Sequence, residues 1–556
     1  MADVEATVLS GTEILLDVLR SEGVGYIFGN PGSTELPLMD ALATAEDIHY
    51  VLALQEATAA AMADGYAQVT RRPAFVNLHS SAGLGNAIGN LSNARANGTP
   101  LVVSAGQQDY RHIHHEPLLA GNLTGIAAAV CKWAHEIRSI DELATMLRRA
   151  FLDSSSAPTG AVFLSIPLHV LGEHSDASLP PRTTIDRETV GGGLEELADL
   201  LTTTAPDELA IIVGDEVATS GGVAAVAKLA EALGADVLGS PLYGRSVFPQ
   251  EHALWAGMLP PIAAMLRNAL EGYRRVLLVG GQAFLVYPYT PGSPLPEGTD
   301  LLHLSPDPAF IGQAHRARLG VVGDPRATLE SLIPLVETRA DRDAARHRLE
   351  LKRRERAAEI ERLEEAALAR YGTSPLDPMA AAHALVRSAP RDTPIVDEAI
   401  TSGIYVRGFQ HTDEPDRYFF CRGGGLGWGM PASLGVSLGH DRSPVLCAVG
   451  DGSAMYSPQA LWTAAHEDLP VVFAVFNNCQ YLILKNNLRG MGGESAALDT
   501  FVATDIDDPP IDFAHLARAM GVEATVAAEA SEVADIVRDA IERGKPHLVD
   551  IPITAP

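Results

Sequence analysis

The chain has 556 residues with 41 Lys and Arg against 70 Asp and Glu, a formal net charge of −29. So acidic a surface repels phosphate backbones and excludes nucleic acid as a partner. With 47% apolar residues, extended disorder is excluded, and a chain of this length divides into roughly two to four domains. The four cysteines, Cys131, Cys421, Cys447 and Cys479, show no CxxC spacing, which argues against a zinc site or a disulfide framework. No signal-peptide pattern and no run of membrane-spanning length is present, so a cytoplasmic protein with no membrane partner is expected.

Residues 1–185 alternate strand-like and helix-like runs. Tyr26 to Phe28, His49 to Leu54, Ala74 to Leu78, Leu101 to Ala105 and Ala161 to Ile166 read as strands, with helical patterns at Thr12 to Ser21 and Ala57 to Val69. Such alternation predicts a doubly wound parallel sheet covered on both faces. Two strand ends carry polar groups. Gly29-Asn30-Pro31-Gly32-Ser33 is a turn of the kind that holds ligands in this architecture, though its glycines taken alone read as a plain connection. Glu56 stands where the strand ending at Leu54 gives way to an Ala-rich helix, and taken alone it reads as a first-turn residue favoured by the helix dipole.

Residues 190–338 repeat the α/β style, with Leu209 to Val213, Ala235 to Leu238, Val276 to Val279, Leu301 to Leu304 and Val321-Val322 as strands. Residues 339–372 are dense in Ala, Glu, Arg and Leu and predict a solvated helical linker. Residues 373–556 form a third α/β unit. Here the apolar run Val445 to Val449 stops at Gly450-Asp451-Gly452, a helix follows from Ser457 to His466, and a second run, Val471 to Phe476, stops at Asn477-Asn478. Two parallel strands joined by a helix bring their carboxyl ends to one edge, so Asp451 and Asn478 are expected to meet. One carboxylate, one amide oxygen and a carbonyl just beyond, that of Gln480, suit Mg2+ sharing a diphosphate. Read alone, Asp451 also serves as a helix cap.

The spacing from GDG to NN resembles the thiamine-diphosphate motif of the 2-oxo-acid decarboxylase and acetolactate synthase superfamily. FGNPGSTELP, YVLALQEATAAAMADGYAQ, AFVNLHSSAGLGNA, PLVVSAGQQ and CRGGGLGWGMPA are similar in turn to the benzoylformate decarboxylase branch. The resemblance implies pyrimidine-binding, middle and diphosphate-binding domains, with thiamine diphosphate and Mg2+ as cofactors. It implies a homodimer or homotetramer with active sites between subunits and a small 2-oxo acid as substrate.

By the same resemblance Glu56 hydrogen-bonds the aminopyrimidine ring, and Leu426, beside Gly424, supports the bend of the cofactor. Asp451, Asn478 and the Gln480 carbonyl bind the metal, and Gly450, Gly452, Ser453 and Tyr481 line the diphosphate. Glu398 has a secondary place near that edge. Ser33 and His79 face the substrate, the serine holding its carboxylate and the histidine acting as acid and base.

Two departures from the branch bear on the substrate. Tyr287 stands where a second histidine is expected, and tyrosine titrates too high to shuttle protons at neutral pH. Ile483, Leu484 and Asn487 fall where an aryl pocket is lined, Asn487 replacing an aromatic. In Arg111-His112-Ile113-His114-His115, His114 or His115 matches paired histidines of pyruvate-decarboxylase-like relatives and takes the shuttle's place, or lies in a solvent loop. The expected reaction is non-oxidative decarboxylation of an aryl or branched 2-oxo acid to an aldehyde. Making or cleaving 2-hydroxyketones, as acetolactate synthases and benzaldehyde lyase do, is the alternative, and a non-catalytic cofactor-binding role is disfavoured by Glu56, Ser33 and His79.

Overall fold

A computed structural model describes residues 8–176, 179–282, 284–412 and 414–555. It contains three six-stranded sheets, parallel throughout. The first has β1 (Tyr26–Gly29), β2 (His49–Leu52), β3 (Ala74–Leu78), β4 (Leu101–Gln107), β5 (Ala134–Glu136) and β6 (Val162–Pro167), in the order β2-β1-β3-β4-β6-β5. The second has β7 (Leu209–Val213), β8 (Asp236–Gly239), β9 (Trp255–Met258), β10 (Arg275–Val279), β11 (Asp300–Ser305) and β12 (Leu319–Val322), ordered β9-β8-β7-β10-β11-β12. The third has β13 (Ile395–Glu398), β14 (Tyr418–Phe420), β15 (Val445–Gly450), β16 (Val471–Asn477), β17 (Glu523–Val526) and β18 (His547–Pro552), ordered β14-β13-β15-β16-β18-β17.

The first and third sheets thus share one strand order, a structural repeat that the sequence does not display. Central strands such as β3, β7 and β16 are buried along almost their whole length, which is why they read as unbroken apolar runs. Three short strands lacking such a run, β5, β9 and β17, lie on sheet edges, as does β14, apolar throughout but only three residues long. An edge strand has one neighbour and needs less apolar surface, so its pattern is weak.

Helix α1 (Glu56–Thr70) follows β2, and α2 (Ser80–Asn97) follows β3. The charged segment after the second sheet forms α3 (Arg342–Leu368), a 27-residue helix. It is solvated as expected, with only Ala345 and Ala367 buried, yet it is also tied down. Arg348 bonds Asp236 at 2.8 Å, Arg356 bonds the Gln250 carbonyl at 2.7 Å, and Glu364 pairs with His383 at 2.6 Å, strapping the helix across the second and third units.

In the third unit α4 (Gly429–Gly439) lies against α1 and joins the outer units within one chain. The packing is close because glycines face backbone: a Cβ on Gly65 would meet the Ala432 carbonyl, and one on Gly435 the Met62 carbonyl. The link is reinforced by Thr463 Oγ1 donating to the Leu52 carbonyl at 3.0 Å and by His49 against Glu467 at 2.9 Å.

Candidate active site

Strand β15 does not end in an open turn. Asp451 begins a four-residue helix, α5 (Asp451–Ala454), with Gly450 as its extended N-cap, and a second helix, α6 (Gln459–His466), starts after Pro458. The expected helix from Ser457 is therefore shorter by two residues and preceded by another. Gly450 pairs in register with Phe476 of β16, so the two strands finish side by side.

Asp451 and Asn478 do meet. The Asn478 N–H donates to Asp451 Oδ2 at 3.1 Å, the Gln480 N–H reaches the same oxygen at 3.3 Å and Asn478 Oδ1 at 3.1 Å, and the Gly452 N–H donates to Asp451 Oδ1 at 2.8 Å. Burial raises the Asp451 carboxyl above its usual range, against the amide bonds that pull it down. Cys479 O and Tyr481 N bond across to Ile506 and Thr504, at 2.9 and 2.7 Å. Each of these peptides is planar and trans, so the Gln480 N–H and carbonyl face away from those partners, and the N–H reaches Asp451.

The donor set is oxygen only. Among the described residues no cluster of three or more His, Cys, Asp or Glu side chains is placed to hold a metal. A cation here would take one carboxylate and neutral oxygens, leaving positions for phosphate and water, which fits Mg2+. The glycines leave the backbone bare on one side of the site. A Cβ on Gly450 would meet nothing closer than Ser453 Oγ at 3.9 Å, whereas Gly452 lies against the Tyr481 ring, where a Cβ would come within 2.5 Å of Cε1. Ser453 is buried beside them.

Leu426, half-buried, sits in a loop clamped from both sides. Asn93 of α2 bonds Gly425 twice, to its carbonyl at 2.9 Å and from its N–H at 3.1 Å, and Asn90 reaches the Gly427 carbonyl at 3.4 Å. From the other side Glu398 accepts the N–H groups of Gly427, Trp428 and Gly429 at 2.9, 3.2 and 2.8 Å. Glu398 therefore acts on the loop and the start of α4, from the secondary place expected for it in the sequence. Burial pushes its carboxyl up to about 7, opposed by the three amide bonds and assisted by Asp397. Gly424, at φ 68°, supplies the left-handed turn that the loop requires.

In the first unit Glu56 is the first residue of α1 and is 8% exposed. The N-cap belongs to Gln55, whose side chain accepts from Ala57 N and Thr58 N at 2.6 and 3.2 Å. That frees the Glu56 carboxylate, which is oriented by two asparagines: Asn30 Nδ2 lies 3.3 Å from Oε1 and Asn86 Nδ2 2.9 Å from Oε2. Sequence reasoning missed both, although each lies in a family-like motif, GNPG and GLGNA. Gly83 gives the carboxylate room, since a Cβ there would come within 3.0 Å of Oε1.

Ser33 is exposed at the start of a short 3-10 turn, Ser33–Glu35. His79 is the N-cap of α2, its side chain 19% exposed. The residue after it, Ser80, holds φ at 51°, and Cys479, directly after Asn478, holds 54°. Left-handed non-glycine residues cost about 1–3 kcal/mol each; two of the thirteen described stand beside His79 and Asn478.

The other expected residues are more open. Ile483, 40% exposed, and Leu484, 46% exposed, lie with Asn487 on α7 (Leu482–Met491). Tyr287 is 65% exposed, its N–H held by the Pro261 carbonyl at 2.5 Å. His114 and His115 are exposed and lie against each other, ring centres 4.0 Å apart. Their loop returns to the site, because Ser81 Oγ donates to the Leu119 carbonyl at 3.2 Å.

Parallel strands whose carboxyl ends carry an oriented carboxylate in one unit and an oxygen cluster in another define a cofactor-binding protein of the doubly wound α/β class. Comparison with known proteins narrows this. Residues 9–126 match the thiamine pyrophosphate enzyme N-terminal TPP binding domain, 194–332 the central domain and 401–551 the C-terminal TPP binding domain. A benzoylformate decarboxylase from Pseudomonas aeruginosa is 34% identical, over 96% of this chain and 97% of its own. An acetolactate synthase isozyme 3 large subunit from Escherichia coli is 28% identical over 84% of this chain and 82% of its own. The solved structure of a thiamine diphosphate-dependent 4-hydroxybenzoylformate decarboxylase from Rhodococcus jostii superposes with a TM-score of 0.85 at 29% identity, covering 99% of this chain and 100% of that one. The chain belongs to the thiamine pyrophosphate enzyme family.

Proposed function

We propose that the protein is a thiamine-diphosphate- and Mg2+-dependent decarboxylase that converts an aryl or branched 2-oxo acid to an aldehyde and CO2. The observation that carries the reading is the pair of prepared strand ends, Glu56 held by Asn30 and Asn86 and Asp451 joined to Asn478, in a chain similar to a benzoylformate decarboxylase along nearly its whole length. When bound, thiamine diphosphate supplies the electron sink that loss of a carboxylate from a 2-oxo acid requires. The chain's residues do the rest. Asp451, Asn478 and the Gln480 carbonyl hold the metal and through it the diphosphate, lined by Gly450, Gly452, Ser453 and Tyr481. Glu56 would hold the aminopyrimidine ring by a hydrogen bond to its nitrogen. Leu426, on its clamped loop, would pack against the bound cofactor. Ser33 binds the substrate carboxylate, and His79 moves protons at the reacting carbonyl.

Two copies are needed for this work. The segments that carry these residues also bear exposed apolar side chains, Leu36, Leu54, Ile404, Tyr456 and Leu484 among them, 45–66% exposed on the isolated chain. Bare apolar groups in several site-bearing segments mark a surface for association, and the occupant is a second copy that completes the site.

A second reading, carboligation to 2-hydroxyketones, is favoured by the likeness to the acetolactate synthase subunit. Both reactions begin alike, and the acceptor of the final step, a proton or a second carbonyl compound, separates them. The test is a panel of aromatic, branched and short linear 2-oxo acids with the loaded enzyme, following CO2 and aldehyde. Aldehyde as the dominant product from an aryl or branched acid is expected. A dominant hydroxyketone supports the second reading, and no CO2 from any acid refutes the first.

A further inference from the structure

Behind His79 lies a buried carboxylate that no part of the proposed reaction uses. Glu35 is 2% exposed. Its Oε2 accepts the Gly32 N–H at 2.9 Å and faces His79 Nδ1 at 2.9 Å. Its Oε1 accepts the Gly106 N–H at 2.9 Å and the Thr34 hydroxyl at 2.7 Å. Four donors from β4, from the turn after β1 and from the residue after β3 thus converge on one side chain.

Two glycines keep the arrangement open. A Cβ on Gly32 would strike the His79 ring, coming within 2.5 Å of Cδ2, and one on Gly106 would strike the Glu35 carboxylate and come within 2.5 Å of Thr34 Cβ. The glycine of the GNPGS turn is therefore where the imidazole lies flat against backbone, and the glycine of SAGQ is where the carboxylate enters. Each change of residue type at these positions would displace the pair.

The network fixes the imidazole tautomer. A carboxylate offers only acceptor positions, so the nitrogen facing it must carry a proton. Thr34 Oγ1, 3.1 Å from the same Nδ1, directs its single proton to Glu35 Oε1 and shows His79 a lone pair. Nδ1 meets two acceptors and no donor, which leaves Nε2 with the free lone pair. An imidazole held by a carboxylate at one nitrogen acts as acid or base through the other.

We propose that Glu35 is a positioning residue for His79: it anchors the ring through Nδ1–H and presents Nε2 as the proton-transfer atom. Thr34, Gly32 and Gly106 complete the anchor. The catalytic part of this rests on the proposed decarboxylase reading, whereas the tautomer rests on the structure alone. Glu35 itself, enclosed by these four donors, does not touch substrate.

The test has two arms. Neutron diffraction from the enzyme loaded with thiamine diphosphate and Mg2+ reads the proton directly, with no variant and no turnover required. A proton on Nδ1 and none on Nε2 in the neutral ring is expected, and a neutral ring with its proton on Nε2 overturns the proposal. In the kinetic arm, Glu35→Gln, His79→Ala and the double variant are compared with wild type on the best acid of the panel. Glu35→Gln is expected to lower kcat by about 10²-fold, within the range for misplacing an acid–base group, with KM changed less than about threefold. The double variant is expected to equal His79→Ala, because the two residues act as one unit. Losses that multiply overturn the proposal even if each variant is impaired. Full activity of His79→Ala refutes instead the acid–base reading of His79, and the position of the proton in the neutron map then decides the anchor independently.

Discussion

Replacing Gly435 by alanine adds one methyl group at the contact between α1 and α4, the helices that tie the two outer units together. That carbon would stand 2.7 Å from Tyr66 N and 2.8 Å from the Met62 carbonyl carbon, and closer still to the Met62 oxygen. Ordinary contacts between such atoms begin near 3.5 Å, so the helices must part by at least about 0.7 Å, and a gap of 0.5–1 Å forfeits a quarter to a half of each dispersion well. An interface holding as many contacts as one buried leucine, about 50 at 0.1–0.2 kcal/mol, then loses about 1–5 kcal/mol. Alanine returns about 1 kcal/mol of helix propensity. The balance is a loss of about 0–4 kcal/mol, about 2 kcal/mol at its middle, which is about 4–8 °C in Tm at 2–4 °C per kcal/mol. Calorimetry on the cofactor-loaded protein reads it, with Gly408→Ala as the contrast, because a Cβ on Gly408 in helix 403–408 meets nothing within 4 Å. Gly435→Ala should melt lower than wild type and Gly408→Ala no lower. A Tm for Gly435→Ala equal to or above wild type would show that propensity dominates and that the close helix contact does not exist.

Three other outcomes follow from the site. Asp451→Ala should retain the fold and lose Mg2+-dependent retention of thiamine diphosphate on gel filtration; affinity equal to wild type counts against the metal assignment. Glu56→Gln should lower kcat by about 10²- to 10⁴-fold while diphosphate binding persists, since a positioned acid–base group contributes in that range, and near-normal turnover would remove Glu56 from the chemistry. Glu216, whose Oε2 is shut off from solvent without a partner, has its carboxyl raised by burial and by Asp215 from 4.5 to about 7. Below pH 4.5 it is neutral folded and unfolded alike; as pH rises towards 7 only the unfolded form ionises freely, so stability falls with pH. The loss is about 3 kcal/mol at most, at 1.36 kcal/mol per unit, so Glu216→Gln should raise Tm at pH 8 by several degrees and leave it unchanged at pH 4.5. Parallel Tm profiles for the two proteins would contradict the buried, unpaired carboxyl.

Much was legible in the sequence for a single physical reason: a strand buried on both faces must be apolar along its whole length. Val445 to Val449 and Val471 to Phe476 therefore declared β15 and β16, and the polar residues at their ends, Asp451 and Asn478, had to meet once the strands were parallel neighbours. The doubly wound class and the place of Glu56 at a strand-to-helix junction followed from the same pattern. The tertiary structure decided what depends on groups remote in sequence. Asn86 reaches Glu56 across 30 residues, Glu398 holds Gly427 across 29, and Glu35 faces His79 across 44. A side-chain hydrogen bond leaves no periodicity in the chain, and the clearance that Gly32, Gly106 and Gly435 provide is visible only when the atoms they make room for are in place. The short edge strands escaped as well, because one neighbour asks for little apolar surface. Sequence thus determined which elements form and which strand ends carry chemistry, while packing determined how each of those groups is aimed.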